Sequence, residues 1–358
     1  MGRPLRSRRD RVLALARRRE TRRRPSGRPP LRAPVDLRVR LGPLELPNPV
    51  IAASGTFGHA DEVGRLCPPD RLGAVTAKSQ APFPWPGNPA PRLHMTTGGM
   101  INAVGLQGRG IEHWIDADLP ALRALGARVI ASVWGHDVDD FAVAAKALRR
   151  ASAELVAVEV NVSCPNLHAD GARGSHATIF AHDPGMTEAA VRAVVDAELG
   201  LPVFAKLSPN VTDLAEIASA AVRGGATGLT LINTLRALAV DAETRLPTLG
   251  AGAGGGGLSG AAVKPVALRA VHDVARAHPS VPIIGTGGVF SGVDAVEMLL
   301  AGASAVGVGT ATFLEPRASL RILAELVDWC VAHDVARVAD LTGALPDRDE
   351  PDRREEAR

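Results

Sequence analysis

"PIIGTGGVFSGVDAVEMLLAGASAVGVGTA", residues 282–311, decides the fold. It begins with a short β-rich apolar run, 282–288, and ends with another, 305–311. Between them, 292–302 has the composition and spacing of a helix, with Gly302 where a helix C-cap belongs. Two strands joined through a helix run parallel, because the chain must cross back before the second strand can start. The apolar stretch 295–314 could be mistaken for a membrane span. Glu297 and several glycines interrupt it, and nowhere in the chain is there an unbroken apolar run of about 18 residues or more.

The same unit recurs on both sides. Similar runs occur at 49–54 (PVIAAS), 74–79 (AVTAKS), 128–134 (RVIASVW), 155–163 (LVAVEVNVS), 202–208 (PVFAKLS) and 228–234 (GLTLINT), which brings the set to eight. Alanine-rich helical patterns fill 137–151, 186–199, 211–225 and 264–278. Aspartates or threonines open several of them, and Gly225 closes one, as helix caps require. Eight strand–helix units predict an α/β fold, a closed (β/α)8 TIM barrel. The competing fold is a doubly wound open sheet. Its GxGxxG fingerprint is absent, since the first strand runs into "ASGTFGHADE", 53–62.

The chain has 358 residues, 46% of them hydrophobic, enough for a large core. Aromatics are 3% and tyrosine is missing, so that core is aliphatic. The net charge of +3 hides an asymmetry: residues 1–40 hold fifteen Arg against three acids, an excess of +12, and the remainder is therefore at −9. We read 1–40 as a basic, disordered tail, 41–344 as the barrel and 345–358 as a charged, solvated tail. A basic tail could meet RNA or an anionic surface, but the acidic body gives no nucleic-acid signal. Cys67, Cys164 and Cys330 are widely separated, which excludes a disulfide framework and offers no metal or iron–sulfur ligand set. A reducing cytosol is the simplest compartment.

In such barrels the active site lies at the C-terminal strand ends. Those ends carry Ser54, Lys78 and Ser79, Ser132, Asn161 with Cys164 and Asn166, Lys206 with Ser208 and Asn210, Asn233 and Thr234, Gly287 and Gly288, and Gly309 and Thr310. Each has a plain explanation alone: a lone cysteine is usually a small buried hydrophobe, and glycines after a strand usually just turn the chain. Together they define one polar mouth. Glycines after strands 7 and 8 suit a phosphate held by backbone N–H groups. Two lysines could neutralise an electron-rich ring or a carboxylate, and asparagines suit a cyclic amide. A cysteine thiolate could abstract a proton. Paired carboxylates and histidine clusters are missing from these ends, which argues against glycosidase and metal-hydrolase chemistry.

Eight motifs in order, "GNPAPR" (87–92), "INAVGLQ" (101–107), "NVSCPN" (161–166), "KLSPNVTD" (206–213), "INT" (232–234), "GGLSG" (256–260), "IIGTGGV" (283–289) and "AGASAVGVGTA" (301–311), resemble a class 1 dihydroorotate dehydrogenase over about residues 40–330. "SPNVTD", "INAVGLQ" and Thr234 are closer to the class 1B catalytic subunit than to class 1A. The resemblance implies an FMN-dependent oxidation of dihydroorotate to orotate in pyrimidine synthesis. It puts Cys164 at the family's base position. It puts Lys78, Asn102, Ala103, Val104, Gly105, Leu106, Asn161, Asn166, Asn233 and Thr234 at substrate-contacting positions. Ser54, Lys78, Ser79, Ser132, Asn161, Lys206, Ile232, Gly260, Gly287, Gly288, Gly309 and Thr310 match flavin-contacting positions, with Lys206 near the flavin N1. The class 1B resemblance implies electron transfer to NAD through a partner carrying FAD and a [2Fe–2S] cluster, in a homodimer or heterotetramer; the sequence leaves fumarate or another acceptor open. Cysteine as base and an Arg-rich N-terminus argue against the membrane-associated class 2.

Three departures stand out. Ser132 occupies a position where the family usually has asparagine, and serine is shorter. The substrate loop reads "LQGRG", with Gly108 and Arg109, where the family tends to read "LQNPG". The loop 250–260 carries extra glycines. Residues 163–185 are polar with several glycines and fit a lid. Two other flavin barrels compete. The dihydropyrimidine dehydrogenase type tends to carry histidine at the Asn166 position. The tRNA dihydrouridine synthase has a "GCP" cysteine context, not seen here. A non-catalytic scaffold is disfavoured because the cysteine, lysines and glycines are all retained.

Overall fold

A computed structural model describes residues 34–165, 179–249 and 254–346. Most of both expected tails, Asn166, most of the expected lid and part of the glycine loop fall outside the described residues. The description below concerns the unit that begins at Val35.

Eight strands close into a parallel barrel: β1 (Val50–Ala52), β2 (Ala74–Thr76), β3 (Val129–Val133), β4 (Ala157–Asn161), β5 (Val203–Lys206), β6 (Gly228–Leu231), β7 (Ile283–Thr286) and β8 (Ala305–Val308). Each pairs with its sequence neighbours, and β8 closes on β1. All eight are buried along their length, because one face meets the barrel interior and the other meets helices. This is why they read as continuous Val, Ile, Leu and Ala runs instead of alternating ones.

The outer helices are α1 (Leu119–Ala124), α2 (Val138–Leu148), α3 (Pro184–Val195), α4 (Leu214–Arg223), α5 (Lys264–Ala277), α6 (Gly292–Leu300) and α7 (Ala318–Ala332). Four start on side-chain caps. Asp137 accepts from Asp140 N, Asp183 from Met186 N, Asp213 from Ala215 N and Glu216 N, and Ser291 from Asp294 N. Each cap satisfies an otherwise orphaned N–H. Between β1 and β2 the alternation fails: that connection holds turns and one short 3-10 helix, Pro69–Arg71, in place of an α-helix.

Long connections after β2 and β6 meet over the mouth. Leu93–Thr96 and Gly99–Asn102 from the first, and Leu235–Ala237 and Gly256–Ser259 from the second, form one antiparallel sheet. At the other end, the hairpin Val39–Leu41 and Leu44–Leu46 buries Leu41 and Leu46, with Gly42 against Thr227 just before β6. Asp36 pairs with Arg337, tying the start of this unit to the segment after α7. No helix among the described residues is long and apolar enough to cross a membrane.

Candidate active site

A cavity of about 380 Å³ opens at the C-terminal strand ends, within the size range of small-molecule sites. Its floor is a chain of hydroxyls and amides. Ser79 Oγ lies 2.8 Å from Ser132 Oγ and 3.3 Å from Ser54 Oγ, and accepts from Asn161 Nδ2 at 2.9 Å. Ser54 Oγ donates to Ala77 O at 2.8 Å. Asn161 Oδ1 accepts from Ser163 N and Oγ, and Asn233 Nδ2 donates to the same Ser163 Oγ at 2.9 Å. Both asparagines are thus fixed by neighbours before any ligand arrives.

The register explains the charges. Asn161 pairs with Lys206, Lys206 with Thr230, and Ser132 with Glu159 across adjacent strands. Glu159 lies two residues before Asn161, so both point to the same face, into the barrel. Its carboxylate accepts from Ser132 Oγ at 3.3 Å and lies 4.0 Å from Lys206 Nζ. Lys78 faces the same cavity. Burial pushes its pKa below the ordinary lysine range, the Cys164 thiolate pulls it back, and the Lys206 ammonium adds to the lowering. His59, also on the wall, is lowered by burial first and then by Lys78, with Glu62 and Asp118 opposing.

Of the residues expected from sequence, Ser54, Lys78, Ser79, Asn102, Val104, Gly105, Leu106, Asn161, Cys164, Lys206, Ile232, Asn233, Thr234, Gly260, Gly287, Gly288, Gly309 and Thr310 line this one cavity. Ala103 does not: it is buried with Ile101 and Leu249 in a separate small cluster. Ser132 does not either; its hydroxyl supports the floor from behind, between Ser79 and Glu159. Asn166 lies outside the described residues. Ser208 and Asn210 are also off the wall, and Asn210 Nδ2 instead donates to Thr234 O at 3.0 Å.

The sequence reading missed Glu159 beneath the cavity, Trp85 and Asn88 behind the 102–108 loop, and the wall residues His59, Met100, Leu258, Val263, Phe290 and Phe313. Glu159 had a signal, since it shares parity with Asn161 in an otherwise apolar strand. The others depend on contacts between distant segments.

The cavity fits a planar ligand that bears a phosphate. Ala53, Ile232, Met100 and Leu258 give apolar walls between the polar groups. Gly288 has φ +75°, and a Cβ there would meet Lys264 N at 2.7 Å, so only glycine lets this loop lie on the start of α5. A Cβ at Gly309 would touch only Thr56 and Ala53 carbons at 3.8 and 3.9 Å, leaving that wall open for a ligand. Thr286 Oγ1, on the cavity lining, is buried without a hydrogen-bond partner.

Comparison with known proteins gives a consistent result. The family described as "Dihydroorotate dehydrogenase" matches residues 36–329. The catalytic subunit of dihydroorotate dehydrogenase B (NAD(+)) from Alkaliphilus metalliredigens is 43% identical over 311 residues, 87% of this chain and 99% of that protein. Its counterparts from Geobacter metallireducens and Geobacter sulfurreducens are each 44% identical over 310 residues, 87% of this chain and 98% of theirs. With a cysteine, two lysines and a bank of asparagines on one barrel mouth, the chain belongs to the dihydroorotate dehydrogenase family of flavin-dependent oxidoreductases, and within it to class 1B.

Proposed function

We propose that this chain oxidises dihydroorotate to orotate in pyrimidine biosynthesis, with FMN as its resident cofactor and Cys164 as the general base. The observation that carries this reading is that Cys164, Lys78 and the carboxamides of Asn102, Asn161 and Asn233 share one cavity with Lys206 and the glycines after β7 and β8.

The reaction removes two hydrogens from adjacent ring carbons. Cys164 Sγ, as thiolate, takes the proton from C5; the C5–H bonding pair becomes the new C5=C6 double bond as a hydride leaves C6. Bound FMN supplies the hydride acceptor. Everything else falls to the chain's own groups. Asn161 and Asn233, held by Ser79 and Ser163, offer fixed donors and acceptors to the ring amides. The Lys78 ammonium stabilises the nearby thiolate and suits the substrate carboxylate. Leu106 and Trp134 pack with Cys164 and exclude water from the base. Lys206 and the loops at Gly287–Gly288 and Gly309–Thr310 would hold the flavin ring and its phosphate.

The relatives' name, a catalytic subunit of an NAD(+)-linked enzyme, supports a partner subunit that carries electrons onward. We assign that partner FAD and a [2Fe–2S] cluster, in a cytoplasmic assembly built on a homodimer or a heterotetramer. Among the described residues no group of three or more His, Cys, Asp or Glu could hold a metal ion.

Anaerobic addition of dihydroorotate to the purified yellow protein should bleach the flavin and release orotate. Cys164→Ala should keep its FMN and lose bleaching by about 10²–10⁴-fold in rate. No bleaching in the wild type overturns the substrate assignment, and normal bleaching in the alanine variant overturns the base.

A further inference from the structure

The motif "GNPAPR" and the residues before it do not contact the cavity as catalytic groups, yet they shape it. The substrate loop 102–108 contributes Asn102, Val104, Gly105, Leu106 and Gln107 to the wall. Gly105 and Leu106 both lie in the left-handed region, at φ +71° and +58°. Leucine rarely adopts that conformation and holds it only where its surroundings dictate it.

Those surroundings come from residues 85–92. Trp85 and Gly108 exchange backbone bonds in both directions, at 2.8 and 2.9 Å. Asn88 N donates to Val104 O at 3.0 Å, and its Nδ2 donates to Ala103 O at 3.0 Å. Arg92 Nη1 donates to Gln107 Oε1. At the bend itself, Trp85 Nε1 donates to Gly105 O at 3.0 Å. The same indole packs on the apolar cluster of Ala81, Leu106, Trp134 and Cys164, with its ring 6.2 Å from that of Trp134. Trp85 is absent from the cavity lining.

We propose that Trp85 is a positioning residue: through its indole N–H it holds the left-handed bend at Gly105–Leu106, and through its ring it keeps that bend registered against Cys164. One side chain thus couples the shape of the substrate loop to the location of the base. The consequence for catalysis rests on the function proposed above; the consequence for the loop does not.

The test uses the FMN-loaded enzyme with Trp85→Phe, which removes the indole N–H and keeps an aromatic ring. Phe83→Leu serves as control, because it alters the same aromatic group, 6.4 Å from Trp85, without touching the bond to Gly105 O. In Trp85→Phe the KM for dihydroorotate and the Kd for orotate, read from the flavin spectrum, should rise about tenfold, the loss expected for one hydrogen bond. FMN content and melting temperature should stay as in the wild type, and kcat should change less than KM. Amide hydrogen exchange should quicken across 102–108 in Trp85→Phe and not in Phe83→Leu. Unchanged exchange in Trp85→Phe overturns the proposal whatever the substrate. Equal KM shifts in the two variants overturn it in favour of general aromatic packing. A wild-type enzyme that ignores dihydroorotate while Trp85→Phe still loosens the loop would defeat the functional assignment and leave the positioning role standing.

Discussion

Glu159, beneath the cavity, and Lys206, on its lining, form a buried pair with Oε1 and Nζ 4.0 Å apart and both residues almost fully buried. Removing one member of such a pair leaves the other charge uncompensated. Glu159→Gln should therefore lower the stability of the flavin-free protein by about 3 kcal/mol. Adding Lys206→Met should recover much of that loss, because no lone charge remains. Thermal melts of the two single variants and the double variant form the cycle. Additive losses would mean that the pair does not interact.

Gly288→Ala should damage the wall proposed above to hold the FMN phosphate. The new methyl would meet Lys264 backbone atoms at a backbone angle that alanine rarely adopts. The strain alone costs about 1–2 kcal/mol, so FMN should dissociate roughly tenfold more readily. Flavin fluorescence on dilution measures the release. Retention equal to that of the wild type would show that the loop can move off α5 at no cost.

Lys78 gives a pH dependence whose sign can be worked out. Its folded-state pKa lies below the unfolded value of about 10.4, mainly through burial. Between those two values the unfolded chain binds more protons, so stability rises with pH across that window. The penalty is full below the folded-state pKa and disappears above the unfolded one. Lys78→Met should then be more stable than the wild type at pH 7 without flavin, with the gap closing towards pH 10, while binding of orotate is lost. Urea denaturation at the two pH values reads this, and a gap that widens with pH would reverse the assignment.

The three thiols should differ in reactivity. Burial pushes the Cys67 pKa up to about 11, and burial raises that of Cys330 as well. Cys164 alone lines the cavity. Iodoacetamide at pH 8 should label Cys164 in the native protein, and orotate should block it. Peptide mass mapping locates the label. Early labelling at Cys67 or Cys330 would contradict the packing described above.

Much of this was legible in advance because barrel strands are buried on both faces and leave continuous apolar runs, and because helix caps have specific chemistry. The eight runs coincide with the eight strands, and Asp137, Asp213 and Ser291 cap helices near where the periodicity begins. The sheet over the mouth was not legible. Its strands are only three or four residues long, and Gly256–Ser259 pairs with Gly99–Asn102 across more than 150 residues of chain. Ala103 and Ser132, drawn from motif positions, proved to face away from the cavity or lie behind its floor, because a motif names neighbours in sequence and does not fix the direction of a side chain.

By itself the sequence determined the parallel barrel, which end of it is chemically active, and a polar set containing one cysteine, two lysines and several asparagines. These follow from local composition and from a period that every parallel crossover must respect. Tertiary structure alone decided that Glu159 compensates Lys206, that Gly288 must lie against Lys264, and that Trp85 holds the bend beside Cys164. Each of those depends on a distance between segments far apart in the chain, and such distances exist only once the barrel has closed.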